Sequence, residues 1–247
     1  MQIASLIATS CLIAEQDDMA MIADNIANAS TPAYQAERMQ FTDWLAPSPH
    51  ARPGTERDVA FVVDRGTWRD RTSGAFRKTG NPFDIAIGNP DAWFRVQTQT
   101  GVRLTRAGAF TLSANRTVVD QEGDPLLDSA GHPITLGQSD TGISIAADGT
   151  LSSRENGILA EIGLVRPTDP SAMTAEGGRL FNPNGPTVPV AAPELMQRML
   201  EDSNVSPILE ITHMIDTERQ FSFLAQFLQE ESDRRQNAMT KITATDA

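Results

Sequence analysis

The C-terminal part of the sequence, from Ser203 to Ile242, has apolar residues at the spacing of a helical face. They recur at intervals of three, four and seven residues, as expected for an amphipathic helix that packs on a neighbour. Ser206 can cap such a helix, Pro207 fits its first position, and no Gly or Pro follows. We therefore predict a helix over 203–247 whose apolar face contains Ile208, Ile211, Met214, Ile215, Phe221, Leu224, Phe227 and Leu228.

The N-terminal residues 1–30 show a related pattern, because apolar pairs recur about every seven residues and the first Pro is Pro32. Residues 1–30 are therefore predicted to form a second amphipathic helix. A single helix cannot bury its apolar face alone, so we expect the two terminal helices to pair as a coiled coil. The apolar positions of the N-terminal helix are Leu6 and Ile7, Ile13 and Ala14, Ala20 and Met21, and Ala27.

The sequence between the helices changes to short runs of β-forming residues. From Val59 onward these runs alternate with Gly, Asn and Asp every 7 to 12 residues, which is typical of an antiparallel β domain. Asp148-Gly149 is a good two-residue hairpin turn. We predict an α+β protein with an N-terminal coiled-coil helix (1–30), a connecting arm (31–70), a central antiparallel β domain (71–185), a return linker (186–202) and a C-terminal coiled-coil helix (203–247).

The charge of the chain restricts its partners. The formal net charge is −12, and an acidic surface repels both nucleic acid and anionic lipid. No Lys or Arg precedes Arg38, so the apolar N-terminal residues are expected to form an uncleaved helix rather than a signal peptide. No apolar run approaches 18 residues, so we expect no transmembrane helix and no stable membrane insertion.

Groups that carry chemistry are scattered. The three histidines, His50, His132 and His213, are isolated, and Cys11 is the single cysteine. No spacing of His and Cys predicts a metal site, and no nucleotide-binding or nucleophile motif occurs. Most aspartates lie beside Gly, Pro or Asn, where they form turns. We therefore predict no enzyme activity, with no catalytic residue, metal or cofactor.

A local basic cluster stands out in this acidic chain. It contains Arg65, Arg69, Arg71, Arg77 and Lys78. Two interpretations remain open. The cluster is either a solvated face or a contact surface for an acidic neighbouring subunit, which charge complementarity would favour.

Three stretches resemble the signatures of the bacterial flagellar rod and hook proteins. Residues 23–34, ADNIANASTPAY, resemble the Asn-rich N-terminal signature, and residues 79–112 resemble a central block with an N-P-F-D run, an aromatic pair and T-R-x-G-x-F. Residues 203–221 resemble a C-terminal signature that begins Ser-Asn-Val. The matching positions are Asn25, Ala27, Asn28, Thr31, Asn81, Pro82, Asp84, Thr105, Arg106, Ser203, Asn204, Val205 and Arg219.

The resemblance implies a structural subunit of the basal-body rod, closest to the proximal rod branch, that assembles helically into the drive shaft crossing the periplasm. The implied partners are other rod proteins, copies of itself and the flagellar type III export machinery, which exports such chains without a cleaved signal peptide. The expected assembly interface comprises Leu6, Ile7, Ile13, Met21, Ile208, Ile211, Met214, Ile215, Phe221, Leu224 and Leu228.

Two alternatives stay in view. One is a distal rod or hook-type subunit of the same family. The other is a secreted hydrolase that acts on cell-wall glycan and would need a carboxylate pair, for which Asp84 and Asp148 are candidates.

Overall fold

The computed structural model describes residues 2–47, 58–177 and 179–245, so part of the connecting arm predicted over 31–70 lies outside the described residues. The chain forms two units. The first comprises Met1–Ala27, Glu37–Asp70 and Ser206–Ala247, and the second comprises Asn28–Ala36 and Arg71–Val205. The predicted α+β class is confirmed, because the described residues form two long helices and a large set of antiparallel strands.

Both long helices belong to the first unit. Helix α1 spans Gln2–Ala27 and helix α2 spans Pro207–Thr245. Helix α2 begins at the predicted Pro207, which needs no hydrogen-bond partner there. The helices contact each other and run in opposite directions, since Asn25 lies near Glu210 and Asp18 lies near Thr217. Neither helix, over its described residues, is apolar for long enough to cross a lipid bilayer.

A β-hairpin completes the first unit. Strand β1 spans Glu37–Pro47 and strand β2 spans Asp58–Arg69, and they pair from Glu37 opposite Arg69 to Pro47 opposite Asp58. Both strands also contact α1. The sequence assigned 31–70 to a connecting arm and indicated β-forming runs only from Val59 onward, so β1 was missed, because its residues lack strict alternation of apolar and polar types. Its ladder with β2 is a long-range pairing that local periodicity does not reveal.

The second unit is built from short strands. They are β3 (Phe76–Lys78), β4 (Ile85–Ile87), β5 (Trp93–Thr98), β6 (Gly101–Thr105), β7 (Thr111–Leu112), β8 (Val118–Val119), β9 (Ser144–Ile145), β10 (Thr150–Ser153), β11 (Gly157–Glu161), β12 (Leu164–Pro167), β13 (Thr174–Glu176), β14 (Leu180–Asn182), β15 (Thr187–Pro189), β16 (Leu195–Gln197) and β17 (Met199–Glu201). A 3₁₀ turn at Pro170–Ala172 precedes β13.

The described strands of the second unit form one larger sheet and several small ones. The larger sheet has the order β13-β14-β6-β5-β12-β15, and β11-β10-β9 form a three-stranded sheet. The main core cluster of the second unit contains Phe94 and Phe110, which are fully buried and pack edge to face at 5.2 Å between ring centroids. The hairpin predicted at Asp148-Gly149 joins β9 to β10, and Gly149 adopts a left-handed conformation in a turn that starts at Ala146.

The return linker predicted over 186–202 is wrong as a description of that segment. Strand β15 pairs with β12, β16 pairs with β4 and β17 pairs with β3. The segment 186–202 therefore belongs to the β structure of the second unit. Each of its strands is three residues long, which is too short for periodicity to identify.

Candidate assembly surface and motif contacts

Helix α2 has two apolar faces, and only one of them is covered. Positions on the covered face repeat at steps of four and three residues, and we call them the seam. We call the second, uncovered apolar face the outer face. It lies opposite the seam, because Ile208 on the outer face and Thr217 on the seam are nine residues, or about two and a half turns, apart. The seam consists of Glu210, Met214, Thr217, Phe221, Leu224, Leu228, Glu231 and Arg235, which are all buried or half-buried.

The outer face of α2 carries the most exposed apolar side chains of the helix. Ile208 is 78% exposed and Phe223 is 69% exposed. Ile215, Arg219 and Phe223 line a shallow depression on this face. The apolar residues of the outer face are Ile208, Leu209, Ile211, Ile215, Phe223 and Phe227.

The expected interface residues are therefore divided by the structure. On α2, Met214, Phe221, Leu224 and Leu228 lie on the seam, whereas Ile208, Ile211 and Ile215 lie on the outer face. On α1, Met21 is buried, Ile7 is half-buried, and Leu6 and Ile13 are 58% and 57% exposed. The sequence grouped these residues into one apolar face, because intervals of three residues, such as that from Ile211 to Met214, also connect members of the two different faces.

Polar residues of the seam were missed by the sequence analysis. Glu210, Thr217 and Glu231 are buried, and the Thr217 hydroxyl donates to Oδ2 of Asp18 on α1 at 3.2 Å. A signal for them existed, because Glu210, Thr217, Leu224 and Glu231 are each seven residues apart. A search restricted to apolar residues could not use it.

Asn25, from the N-terminal signature, is fully buried and ties α1 to β1 and α2. Its Nδ2 donates to the Glu37 carbonyl oxygen and its Oδ1 accepts from the Glu37 N–H, both at 2.9 Å. The same Nδ2 lies 3.5 Å from Oε2 of Glu210, and Arg38 forms an ion pair with Glu210 at 2.8 Å. An amide that both donates and accepts is needed at position 25, because Asp would lose the donor.

Asn204, from the C-terminal Ser-Asn-Val run, organises a junction in the second unit. Its Oδ1 accepts from the Ala36 N–H at 2.7 Å, and its Nδ2 donates to the Thr72 carbonyl oxygen at 3.0 Å. Val205 is buried with Tyr34 and Ala36. The run therefore joins three chain segments of the second unit, which accounts for its presence in a family signature.

Arg106, from the Thr-Arg motif, is the most extensively bonded side chain of the central block. It is buried and forms an ion pair with buried Glu201 at 2.8 Å. Its guanidinium also donates to the carbonyl oxygens of Pro90 and Ala92, at 2.8 and 3.0 Å. The other carboxylate oxygen of Glu201 accepts from the Gly74 N–H at 3.2 Å. This cluster fixes loops of the second unit and leaves Arg106 no role as a surface ligand.

The N-P-F-D run forms a turn that precedes β4. Asn81 Nδ2 donates to Oδ1 of buried Asp84 at 2.9 Å, and the Asp84 N–H donates to the Asn81 carbonyl oxygen at 3.2 Å. The carbonyl oxygen of half-buried Pro82 accepts from the Gln197 side chain at 2.8 Å. These residues therefore shape the backbone rather than present a chemical group.

The remaining signature residues also lie in turns or on the surface. Thr31 donates to the Asn28 side chain at 3.2 Å after α1 ends at the exposed Ala27. The hydroxyl oxygen of Thr105 accepts from the Ala107 N–H at 3.1 Å, and that of Ser203 accepts from the Val205 N–H at 3.2 Å. The Arg219 side chain is 78% exposed on the outer face of α2.

The candidate hydrolytic carboxylates are used in turns. Asp84 is bound by Asn81, and Asp148 accepts from the Thr150 N–H at 2.9 Å, a hydrogen bond that lowers the pKa of the Asp148 carboxyl. His132 and His213 are exposed, and His50 lies outside the described residues.

A group of three carboxylates lies at one turn of the second unit. The carboxylate oxygens of Asp120, Glu122 and Asp124 fall within 4.8 Å of one another. However, Asp120 accepts from the N–H groups of Glu122 and Asp124, which is the geometry of an Asp-stabilised turn. Burial, with these neighbouring charges, raises the pKa of Asp124.

Members of the basic cluster have acidic neighbours within their own units. Arg69 pairs with Glu37 at 3.3 Å, and Arg77 pairs with Asp202 at 3.0 Å. Arg77 is largely exposed and fits the solvated-face interpretation, whereas the side chain of Arg69 is only 14% exposed and is used within the first unit. The side chain of Arg65 lies outside the described residues.

Models of known families match three parts of this chain. The model described as flagella basal body rod protein matches residues 6–35, and the flagellar hook protein FlgE/F/G D1 domain matches residues 88–153. The flagellar basal body rod FlgEFG protein C-terminal model matches residues 196–241. The three matches include Asn25, Arg106 and Asn204, whose contacts are described above.

Curated proteins resemble the chain over nearly its whole length. It is 33% identical to the flagellar basal-body rod protein FlgF of Caulobacter vibrioides, with 91% of each chain covered. It is 32% identical to the FlgF protein of Mesorhizobium japonicum, with 98% of each chain covered. It is 28% identical to the flagellar basal-body rod protein FlgG of Agrobacterium fabrum, over 87% of this chain and 90% of the relative.

Proposed function

Because the chain belongs to the family of flagellar basal-body rod and hook proteins, we propose that it is a structural subunit of the basal-body rod. In this function it binds other rod proteins and further copies of itself, and the assembled shaft transmits torque. It has no catalytic role. The observation that carries the proposal is the uncovered apolar outer face of α2.

The terminal helices form an antiparallel coiled coil in this proposal. The opposed contacts of Asn25 with Glu210 and Asp18 with Thr217 support it, since the seven residues between the first pair and the second along α1 are matched by seven along α2. Burial on α2 at steps of four and three residues is the expected pattern of such a seam. Polar residues within the seam specify the register at some cost in stability.

Assembly uses the outer face of α2 together with the exposed Leu6 and Ile13 of α1. Those two residues are seven apart and therefore project on the same side of α1. Each large apolar side chain that a neighbouring copy fully covers contributes roughly 1.5–3 kcal/mol. Several such side chains on every copy are enough to favour a helical array.

Assignment to the proximal rod rests on the similarity to FlgF proteins. The two FlgF relatives described above are 32–33% identical to the chain, compared with 28% for the FlgG relative. A distal rod or hook-type subunit is the alternative. Counting copies per basal body distinguishes them, because a proximal rod subunit is expected in only a handful of copies.

Location and export follow from the same membership. We expect the subunit in the periplasmic part of the basal body, delivered by the flagellar type III export machinery without cleavage of a signal peptide. Mass spectrometry of purified basal bodies tests this directly. A mature protein that begins within α1 would contradict export of an uncleaved chain.

The decisive experiment compares the two faces of α2. Ile215→Asp and Phe223→Asp place a charge on the outer face, so we expect folded protein but no rod and no motility. Phe221→Asp and Leu224→Asp place the same charge on the seam and should disrupt the helix pair as well. Gln236→Asp is the matched control, because Gln236 is an exposed polar residue of the same helix, nine residues beyond the last apolar residue of the outer face.

Electron microscopy of basal bodies, swarming in soft agar and circular dichroism of the purified variants provide the measurements. Intact rods and normal swarming with both outer-face variants would contradict assembly through this face. A strain that lacks the gene provides the reference. It should retain the membrane-embedded base but lack rod and hook.

A further inference from the structure

A cavity of about 450 Å³ opens in the second unit and combines apolar with basic lining. Its apolar lining includes Phe83, Leu112 and Ile143. Its basic lining consists of Arg116, Arg154 and Arg198. We call this feature the arginine cavity. A partner segment with an acidic side chain close to an apolar one matches both kinds of lining.

The positive charge of the arginine cavity is only partly neutralised. Asp140 lines it too, but its carboxylate already accepts hydrogen bonds from Gly137, Ser153 and Asn156. Among the residues that the structure describes, Arg154 and Arg198 form no ion pair, although the whole chain carries a net charge of −12. Glu155 lies near Arg154, but its carboxylate accepts hydrogen bonds from Thr141. Unpaired arginines in an acidic chain attract an external carboxylate.

The backbone at two of these arginines is strained. Arg116 and Arg198 have φ angles of 59° and 63°, a region that residues other than Gly rarely adopt. The Arg198 N–H donates to the Asp84 carbonyl oxygen at 2.6 Å, and its carbonyl oxygen accepts from the Thr79 N–H at 2.9 Å. Such strain, held by surrounding contacts at a cavity, is a recognised indication of a functional site.

The second unit also carries a surface of complementary character. Strand β11 is at the edge of its three-stranded sheet, and Ile158 on that strand is 76% exposed. Glu161, at the end of β11, is also exposed. An exposed edge strand with a large apolar side chain is a ready template for contact with another chain.

We propose that the arginine cavity of one copy receives the β11 edge of a neighbouring copy, with Ile158 against the apolar lining and Glu161 beside Arg154 and Arg198. This inference rests on the proposed assembly of the chain with itself and adds a second contact to the outer face of α2. Because the two surfaces differ, the contact is heterologous and generates an open helical array rather than a closed dimer.

Charge reversal on the full chain tests the contact. Arg154→Glu with Arg198→Glu reverses the cavity, and Glu161→Arg reverses the edge. Each variant should weaken self-association roughly fivefold or more, since attraction becomes repulsion. The combination of all three changes should restore association, which a purely structural role of these residues would not do. Arg166→Glu is the matched control, because Arg166 is an exposed arginine of β12 in the same unit.

Sedimentation velocity over a concentration series, at low and at high salt, gives the association constants. Unchanged association of the cavity variant, or failure of the combined variant to recover, overturns the inference. An unmodified chain that remains monomeric at every concentration also overturns it. If the cavity variant melts earlier than the unmodified chain, Arg154→Gln with Arg198→Gln replaces it, with a smaller loss expected. Phe223→Asp is measured in parallel to separate the two proposals. If Phe223→Asp loses association while the cavity variant does not, the cavity contact is overturned and the rod proposal stands.

Discussion

Replacement of Glu201 by Ala provides the sharpest test of the role assigned to the Thr-Arg motif. The side chains of Arg106 and Glu201 are only 1% and 3% exposed, so removing the carboxylate leaves the guanidinium charge buried without its partner. Breaking such a buried pair costs about 3–5 kcal/mol. The Gly74 N–H also loses its acceptor, which places the expected cost in the upper part of that range.

The adjacent residue supplies a matched control. Asp202 forms an ion pair with Arg77, but these side chains are 39% and 55% exposed, so water and salt screen the attraction. Asp202→Ala is therefore expected to cost less than about 1 kcal/mol. The two variants differ by one position along the chain and remove the same kind of charge, so burial is the main variable between them.

Calorimetry of the full chain measures both effects. A loss of 3–5 kcal/mol lowers the melting temperature of a unit of this size by about 10 °C or more, compared with at most a few degrees for Asp202→Ala. Trp93 packs edge-on against Phe181 at 4.9 Å in the same unit, so near-UV circular dichroism identifies the transition. Equal shifts for both variants would refute the reasoning that burial gives this ion pair its importance.

Three further predictions concern single positions. Hydrogen bonds hold the pKa of Asp140 below its usual range, so the stability they give is present above about pH 4 and is lost as the pH falls. In Asp140→Asn the urea concentration at the midpoint of unfolding should therefore change less between pH 2 and pH 5 than in the unmodified chain. Burial and the nearby Asp18 raise the pKa of Glu15, because the charged form is unfavourable in the folded state. Glu15→Gln should therefore raise the melting temperature of the first unit at pH 7 and leave it unchanged at pH 3. A Cβ on Gly108 would lie 1.6 Å from the Ile85 carbonyl oxygen, so Gly108→Ala should leave little folded protein in a solubility assay, whereas Gly185→Ala, where the nearest atom would lie 3.7 Å away and φ is not positive, should not.

Much of the central block could be anticipated from local sequence. Strands β5 and β6 lie within the region where short β-forming runs separated by Gly, Asn and Asp predicted an antiparallel β domain, because turn formers and β-forming residues are local features of the sequence. The segment 186–202 was missed, because two of its three short strands, β16 and β17, depend on partners more than a hundred residues earlier in the chain. Pairing over that distance leaves no local period to detect.

The candidate assembly surface was only half predictable. Met214, Phe221 and Leu228 were recognised by their seven-residue spacing, and they do lie on the seam of α2. Ile208 and Ile211 were placed on the same face, although the structure leaves them exposed on the other side of the helix. Periodicity gives the angles between residues around a helix axis, but it does not show against which side of the helix another helix packs.

The sequence by itself determined the two terminal helices, the β character of the segment between them and the family signatures. Each of these is encoded within a short stretch, through residue spacing, caps, turn formers or motif residues. Only the tertiary structure decided why Asn25, Arg106 and Asn204 matter. Asn25 lies near Glu210, 185 residues away, and Arg106 is paired with Glu201, 95 residues away. Such contacts arise when segments that are distant in sequence pack together and bury polar groups, which must then find hydrogen-bond partners. No local sequence pattern shows which buried group will become the partner of which other.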